Sequence, residues 1–142
     1  MLRLYFAMAI AMFFAVACNQ NPQSTDGKTA NAELSKPDTK VTVYYFHGRQ
    51  RCPGCVAVQE ISKKAYDGFF ADNQDVRFME VDFSRRENYD LAEKYEVVFS
   101  SLIIATEDGF LDLTQDAFAY ANTNPAELEK LIVSETENLL KL

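Results

Sequence analysis

The sequence predicts an α/β fold of order β-α-β-α-β-β-α built on a mixed four-stranded sheet. Three observations carry that expectation. Residues 41–46 (VTVYYF) are β-branched and aromatic with no charge, which suits a strand covered on both faces. Residues 53 to about 71 place Val58, Ile61, Ala65 and Phe69 at spacings of three, four and four, the stripe of an amphipathic helix. Further on, Asp108-Gly109 carries a two-residue hairpin signal between short apolar runs.

The elements follow in order only after a long N-terminal stretch that belongs to no core. Residues 1–17 put Arg3 ahead of an unbroken apolar run without an acid, ending in small residues, which are the parts of a secretory signal. The run is short for a membrane span of about 20 residues and ends at a cysteine instead of a basic cluster. Ala15-Val16-Ala17-Cys18 resembles a bacterial lipobox with Ala15 in place of the usual Leu, which implies cleavage before Cys18 and acylation of its sulfur. Two or three acyl chains anchor stably where one binds only marginally. Residues 19–40 contain no aromatic residue and are rich in Asn, Ser, Thr, Lys and Asp, so they read as a tether with an r.m.s. span of roughly 25 Å. The expected organisation is a signal over 1–17, lipidated Cys18 with its tether over 18–40, and one folded domain over 41–142.

Within that domain, 41–46 is the first strand and the stripe from Pro53 the first helix. Residues 76–83 (VRFMEVDF) have no wholly polar face and read as a second interior strand. Ser84-Arg85-Arg86-Glu87 has the spacing of a capping box before Leu91, Ala92 and Tyr95, predicting a short second helix. Residues 101–105 and 110–113 are the arms of the hairpin. Asn124-Pro125-Ala126-Glu127 combines an N-cap, a proline at the first helical position and a capping glutamate ahead of Leu128, Leu131, Ile132 and Leu139. Two crossover helices imply that the first three strands run parallel, with the hairpin adding an antiparallel edge.

Charge excludes one large class of partner. With 14 Lys and Arg against 21 Asp and Glu, the net charge of -7 leaves no basic footprint for a nucleic-acid backbone.

Of three cysteines in the chain, two fall within the domain, in Cys52-Pro53-Gly54-Cys55 between the first strand and the first helix. Pro53 disfavours helical geometry for Cys52 and itself suits the first helical position. Cys52 is therefore expected at the N-cap with Cys55 one turn later on the same face. An N-cap sulfur faces unpaired N–H groups and the positive end of the helix dipole, which favour thiolate over thiol. That makes Cys52 the expected nucleophile and Cys55 the less exposed resolving thiol.

Stabilising the thiolate raises the reduction potential, although known dithiol proteins span about -270 to -120 mV, so the direction of electron flow stays open. Upstream, His47, Arg49 and Arg51 make a locally cationic loop that lowers a thiol pKa further, while the ordinary role of such residues is solvation. For His47, a general base, a thiolate-stabilising charge, a copper ligand and a solvated loop residue all fit. Tyr44, Tyr45 and Phe46 read as core. A closed zinc site wants four ligands and the domain offers two cysteines and one histidine. Copper(I) on Cys52, Cys55 and His47, or a cluster shared by two chains, stays open, as does a purely structural disulfide.

With these residues in place, 40–142 resembles the thioredoxin-like family: the order of elements, the C-x-x-C after the first strand, Val81-Asp82 at a strand end, and Tyr95-Glu96-Val97 before the hairpin. Three positions depart from the pattern. Arg51 stands where Trp is usual, the inner pair is Pro53-Gly54 instead of Gly-Pro, and Ser101 falls at the position of the family's cis-proline. That proline packs on the active-site disulfide and keeps metals off it, so Ser101 implies a narrower activity than general protein-thiol reduction, or a hydroxyl offered to a sulfur.

More narrowly, Phe46-His47-Gly48 ahead of Arg51-Cys52, with Asp112-Leu113-Thr114 and Ala117-Phe118-Ala119, is similar to small thioredoxin-like subunits of bacterial systems for aromatic-arsenical nitroreduction and export. The resemblances imply a lipid-anchored dithiol protein of the cell envelope, on the extracytoplasmic side, whose only cofactor is its own Cys52–Cys55 pair. Its implied partners are a membrane electron donor or permease-like protein and a protein or small-molecule redox substrate. A copper chaperone and a non-catalytic interaction module are the alternatives.

Overall fold

The first strand decides the architecture. β1 (Val41–His47) is buried along its length except at His47 and is hydrogen-bonded on both edges in this computed structural model, which describes residues 39–142. The signal segment, Cys18 and all but the last residues of the tether lie outside the described residues. β2 (Val76–Asp82) runs parallel to β1, from Val41 opposite Val76 to His47 opposite Asp82. β3 (Ser101–Ala105) lies on the other edge and is antiparallel, from Thr42 opposite Ala105 to Phe46 opposite Ser101. β4 (Phe110–Asp112) completes the hairpin, giving the order β2-β1-β3-β4.

Side-chain alternation along β1 sorts its residues between two cores. Val41, Val43 and Tyr45 pack with Val58 and Ala65 of α1 (Pro53–Phe69), Leu102 and Ile104 of β3, and Leu128 and Ile132 of the C-terminal helix. Tyr44 and Phe46 point the other way, into Met79, Val81, Ala92, Tyr95 and Ile103. Helices therefore cover both faces of the sheet, and the middle strands carry no exposed side.

The expectation of three parallel strands is corrected: β3 is antiparallel to β1. The cause is the length of the connection. After a single 3-10 turn (Arg86–Asn88), α2 (Tyr89–Lys94) is six residues long and rises about 9 Å. A seven-residue strand spans about 23 Å. So short a helix does not carry the chain back to the far end of the sheet, and β3 starts at the end where β2 stopped. The reversal brings Ser101 beside Phe46, at the end of β1 from which the cysteine loop departs.

The capping box at Ser84 is also corrected. Asp82 captures Ser84 first, its Oδ1 accepting from the Ser84 hydroxyl at 2.6 Å and from the Ser84 amide at 2.9 Å. A carboxylate two residues back outcompetes the helix N–H groups for that hydroxyl. Asn88 anchors the turn instead, donating from Nδ2 to the Asp82 carbonyl at 2.9 Å. α2 then ends on Glu96, whose φ of 56° is left-handed, with the Val97 amide bonded to the Ala92 carbonyl at 2.8 Å.

An additional helix, α3 (Thr114–Tyr120), follows β4 and was not among the expected elements. Leu113, Ala117 and Ala121 recur every four residues and are all buried, so the signal was present but short. α4 (Pro125–Leu140) starts at its proline as expected, but Asn124 caps it through its backbone carbonyl, which accepts from Glu127 and Leu128, and not through its side chain. No helix of the described residues is long and apolar enough to cross a membrane.

One flaw in this packing is testable. Thr136 of α4 is fully buried and its hydroxyl has no hydrogen-bond partner among the described residues. An unpaired buried hydroxyl costs stability, and valine has nearly the same shape and helix propensity without it. Thr136→Val is expected to stabilise the fold by about 1 kcal/mol, read as a higher urea midpoint with unchanged slope. A midpoint that stays put or falls rejects this account.

Candidate active site

The loop leaving β1 at His47 reaches α1 through Cys52, whose φ of -78° and ψ of 160° are extended, as a residue before proline requires. Pro53 opens the helix, so Cys52 is the N-cap, and its Sγ takes the place of the usual capping oxygen. The Cys55 amide donates to that sulfur at 3.0 Å. One turn apart, the two cysteines are joined as a disulfide with their Cα atoms 5.0 Å apart. Cys52 is exposed to solvent and Cys55 is only 8% exposed, so one cysteine of the pair is open and the other covered.

Beneath the pair lies Tyr45, which the sequence presented as core. It is fully buried, and its hydroxyl donates to the Cys55 carbonyl at 2.6 Å. Its ring stacks on His47 at 6.0 Å, and the Arg51 guanidinium lies 5.8 Å from its centroid. A buried tyrosine hydroxyl needs a partner, but the strand holds two adjacent tyrosines, and only its alternation against α1 decides that Tyr45 and not Tyr44 meets the cysteine turn.

Glu80, the β2 residue opposite Tyr45 in the parallel register, gathers the nearby donors. Its Oε1 lies 3.1 Å from His47 Nε2 and 3.3 Å from Arg51, and its Oε2 accepts from Gln59 of α1. Nδ1 of the same histidine is 3.0 Å from the Gly48 carbonyl oxygen. Two of the three cationic loop residues are thus directed at a carboxylate, and the third, Arg49, is exposed. Glu80 and Gln59 were not singled out in the sequence, because only the register and the helix rotation bring them to the loop.

At the strand end, Asp82 sits opposite His47. Partial burial pushes its carboxyl up, but the bonds from the Ser84 hydroxyl and amide, with His47 and Arg85 nearby, outweigh it and hold the pKa below its ordinary value.

Ser101 is buried at the start of β3, and its hydroxyl donates to the Phe99 carbonyl at 2.9 Å. There is no cis peptide bond among the described residues. Val98 and Phe99, just before it, are exposed, 79% and 60%. Phe99 lines an open groove of about 500 Å³ with Asp112, Thr114, Gln115 and Phe118. Phe118 in turn stands against the cysteine turn, since a methyl group added at Gly54 would meet its ring at 3.7 Å and Asn122 at 3.4 Å, ordinary contact distances. One wall of that groove, Phe118, is thus also a neighbour of the cysteine turn. No three His, Cys, Asp or Glu side chains gather as a metal-holding group among the described residues.

Two parallel strands, an antiparallel hairpin on the far edge of β1, helices on both faces, and a C-x-x-C disulfide at the first strand-to-helix junction now stand together. The fold is thioredoxin-like. No protein-family model matches the chain, and no curated protein matches it. Among solved structures it is similar to the zinc-bound form of human ERp44, at 16% identity and a TM-score of 0.47, over 71% of this chain and 27% of that one. It is also similar to oxidised mitochondrial thioredoxin 3 of Saccharomyces cerevisiae, at 23% identity and a TM-score of 0.45, over 68% and 79% of the two chains. A third is the first two thioredoxin domains of Saccharomyces cerevisiae Eps1p, at 14% identity and a TM-score of 0.46, over 78% and 46%. The chain thus matches about a quarter of the ERp44 chain and under half of the Eps1p one.

Two buried hydroxyls of β1, one on each face, carry a pH signature. Burial raises the Tyr45 hydroxyl above its ordinary 10.0 against the pull of Arg51 and Ser100, and burial with the neighbouring Tyr95 raises Tyr44 likewise. An acid whose folded pKa exceeds its unfolded one stabilises the fold below the unfolded value, and that contribution is lost as pH rises through the folded value. The window is therefore alkaline, starting near pH 10. Tyrosinate absorbance should show a late-titrating pair among the seven tyrosines, with one member missing in Tyr45→Phe and one in Tyr44→Phe. All tyrosines ionising together in the folded protein would contradict this.

Proposed function

We propose that the protein is a thiol-disulfide oxidoreductase or dithiol electron carrier, working through Cys52 and Cys55 at a membrane surface. The observation that carries the reading is the exposed Cys52 at the N-terminus of α1, with the Cys55 amide 3.0 Å from its sulfur and Cys55 itself covered.

In the reduced form, the Cys52 thiolate attacks a substrate disulfide. A Cys52–substrate bond forms, the substrate S–S bond breaks, and the electron pair leaves on the departing sulfur. Cys55 then attacks Cys52, closes the ring and releases the second substrate thiolate. The substrate has gained two electrons and the pair has lost them; run in reverse, the same steps oxidise a dithiol. An N-H donor on Sγ and the helix dipole both stabilise the attacking thiolate and, through it, the reduced pair.

A structural role for the disulfide is the weaker reading on magnitude. Closing a loop with a sequence separation of three restricts the unfolded chain by only about 2 kcal/mol. Little stability is at stake in so small a ring, whereas its exposed Cys52 serves exchange.

The lipobox-like Cys18 supports an acyl anchor on the extracytoplasmic side of a bacterial envelope, with the tether giving the domain reach. The partner in this reading is a membrane electron donor, permease-like in the narrower resemblance, and the substrate is a protein disulfide or a small molecule.

Two experiments test the two halves. In exchange assays on the full chain, Cys52→Ser should fall to background and Cys55→Ser should accumulate a mixed disulfide, while wild-type Cys52 alkylates rapidly well below the value of about 8.5 for a free thiol. Slow alkylation, or a Cys52→Ser/Cys55→Ser variant that loses far more than about 2 kcal/mol with no exchange in the wild type, would point to a structural ring. Labelled palmitate should appear on the wild type and not on Cys18→Ser; equal labelling, or none, removes the anchor.

A further inference from the structure

We propose that the Tyr45 hydroxyl is a positioning group for the resolving step, holding the Cys55 carbonyl so that the Cys55 sulfur is aimed back at Cys52. The proposal rests on the oxidoreductase reading above and deepens it.

The geometry is specific to one bond. A carbonyl oxygen has two lone pairs, and in the first turn of a helix one of them serves the N–H four residues on, here that of Gln59. Tyr45 occupies the other at 2.6 Å, in a buried contact between residues ten apart in the chain. The donor is rigid: Tyr45 is fully buried on the strand that is paired along both edges. The acceptor is not rigid by itself. The first turn of α1 has Cys52 and Pro53 exposed, and its only side-chain cap is the Cys52 sulfur.

Once the pair is reduced, the covalent staple across that turn is gone, and the Tyr45 bond is the polar tie that remains between the Cys55 backbone and the sheet. A tyrosine hydroxyl is a protonated donor at neutral pH, and burial extends that range above its ordinary 10.0. The groups facing it are Arg51 and His47 of the cysteine loop, Glu80 of β2, and Ser100 ahead of β3.

The step served is intramolecular. With Cys52 in a mixed disulfide, the Cys55 thiolate, its proton given up to solvent, attacks Cys52 Sγ. The Cys52–Cys55 bond forms, the Cys52–substrate bond breaks, and the electron pair leaves on the substrate sulfur, which takes a proton from water. The dithiol is oxidised and the substrate sulfur reduced. Such a step depends steeply on aim, and a misplacement near 1 Å costs up to about a hundredfold in rate.

Ellman's disulfide, dithiobisnitrobenzoate, separates the two attacks. The detergent-solubilised full chain carrying Cys18→Ser, once reduced, should release one thionitrobenzoate when Cys52 attacks and a second when Cys55 closes the ring. Tyr45→Phe keeps the ring and removes only the hydroxyl. It should slow the second release about tenfold and leave the first unchanged. A second release as fast as in the wild type overturns the proposal, and so does a proportional change in both phases, which would mean general loosening.

The wild type gives an independent reading should Tyr45→Phe not fold. Raising the pH first raises the ratio of second to first rate as Cys55 ionises; ionisation of the buried hydroxyl then abolishes its donation and should bring the ratio down again, and a ratio that climbs to a plateau and stays there overturns the proposal. If no thionitrobenzoate is released at all, the oxidoreductase reading itself falls, and this assignment with it.

Discussion

The structure depends on a strand that has no free side. β1 is paired with β2 and β3 along its edges and packed on both faces, so the position and direction of its last residues are over-determined. Whatever the chain does next starts from a fixed point. It has five residues to leave His47 and enter a helix, and Pro53 dictates both where that helix starts and that the residue before it is extended. The result is a cysteine at an N-cap, the one place in a helix where backbone N–H groups lack carbonyl partners. The sulfur's environment is thus a consequence of strand burial and one proline, with no dedicated binding loop required.

The loop charges work differently from the way their sequence spacing implies. His47 and Arg51 converge on Glu80, so the Arg51 charge and the His47 ring nitrogen are both met by a carboxylate contributed by the neighbouring strand. Such partly exposed pairs contribute little to stability. Their value lies in geometry: Glu80 ties the loop to β2 and, through Gln59, to α1, while Arg51 is held over the ring of Tyr45. The local help for a Cys52 thiolate then comes from the backbone of α1, a fixed source that salt and loop motion alter far less than side-chain charges.

Most of the architecture was legible because it is written in short-range signals. The uncharged run at 41–46 and the apolar stripe after Pro53 each specify an element by themselves, and Pro53 specifies where Cys52 sits; the Asp-Gly signal marked the hairpin but not its turn, which falls on Glu107 and Asp108 between Thr106 and Gly109 with no left-handed residue. What was not legible required knowing distances across the fold. The direction of β3 depends on how little ground α2 covers, which pattern alone does not reveal. Ser84 looked like a cap until Asp82, two residues away, proved the nearer acceptor. Tyr45 read as core, and it is core; the bond from its hydroxyl appears only when α1 is laid over β1. Glu80 and Gln59 lie far apart in sequence and meet through register and helix rotation, neither of which leaves a local mark.

The reversal of β3 also separates the two ends of the molecule by role. The described chain enters beside Asp75, where Lys40 pairs with that residue at 3.1 Å, and β1 carries it seven residues, or about 23 Å, to the cysteine loop. Because β3 returns from the cysteine end, the exposed Val98 and Phe99 and the groove against Phe118 gather at that end too, away from the point of entry. In the proposed anchored reading, the attachment would therefore act on the pole opposite Cys52 and leave the cysteine end turned away from it. Had the first three strands been parallel, β3 would have begun at the entry pole. Val98, Phe99 and the buried start of β3 would then have lain a full strand length from the disulfide.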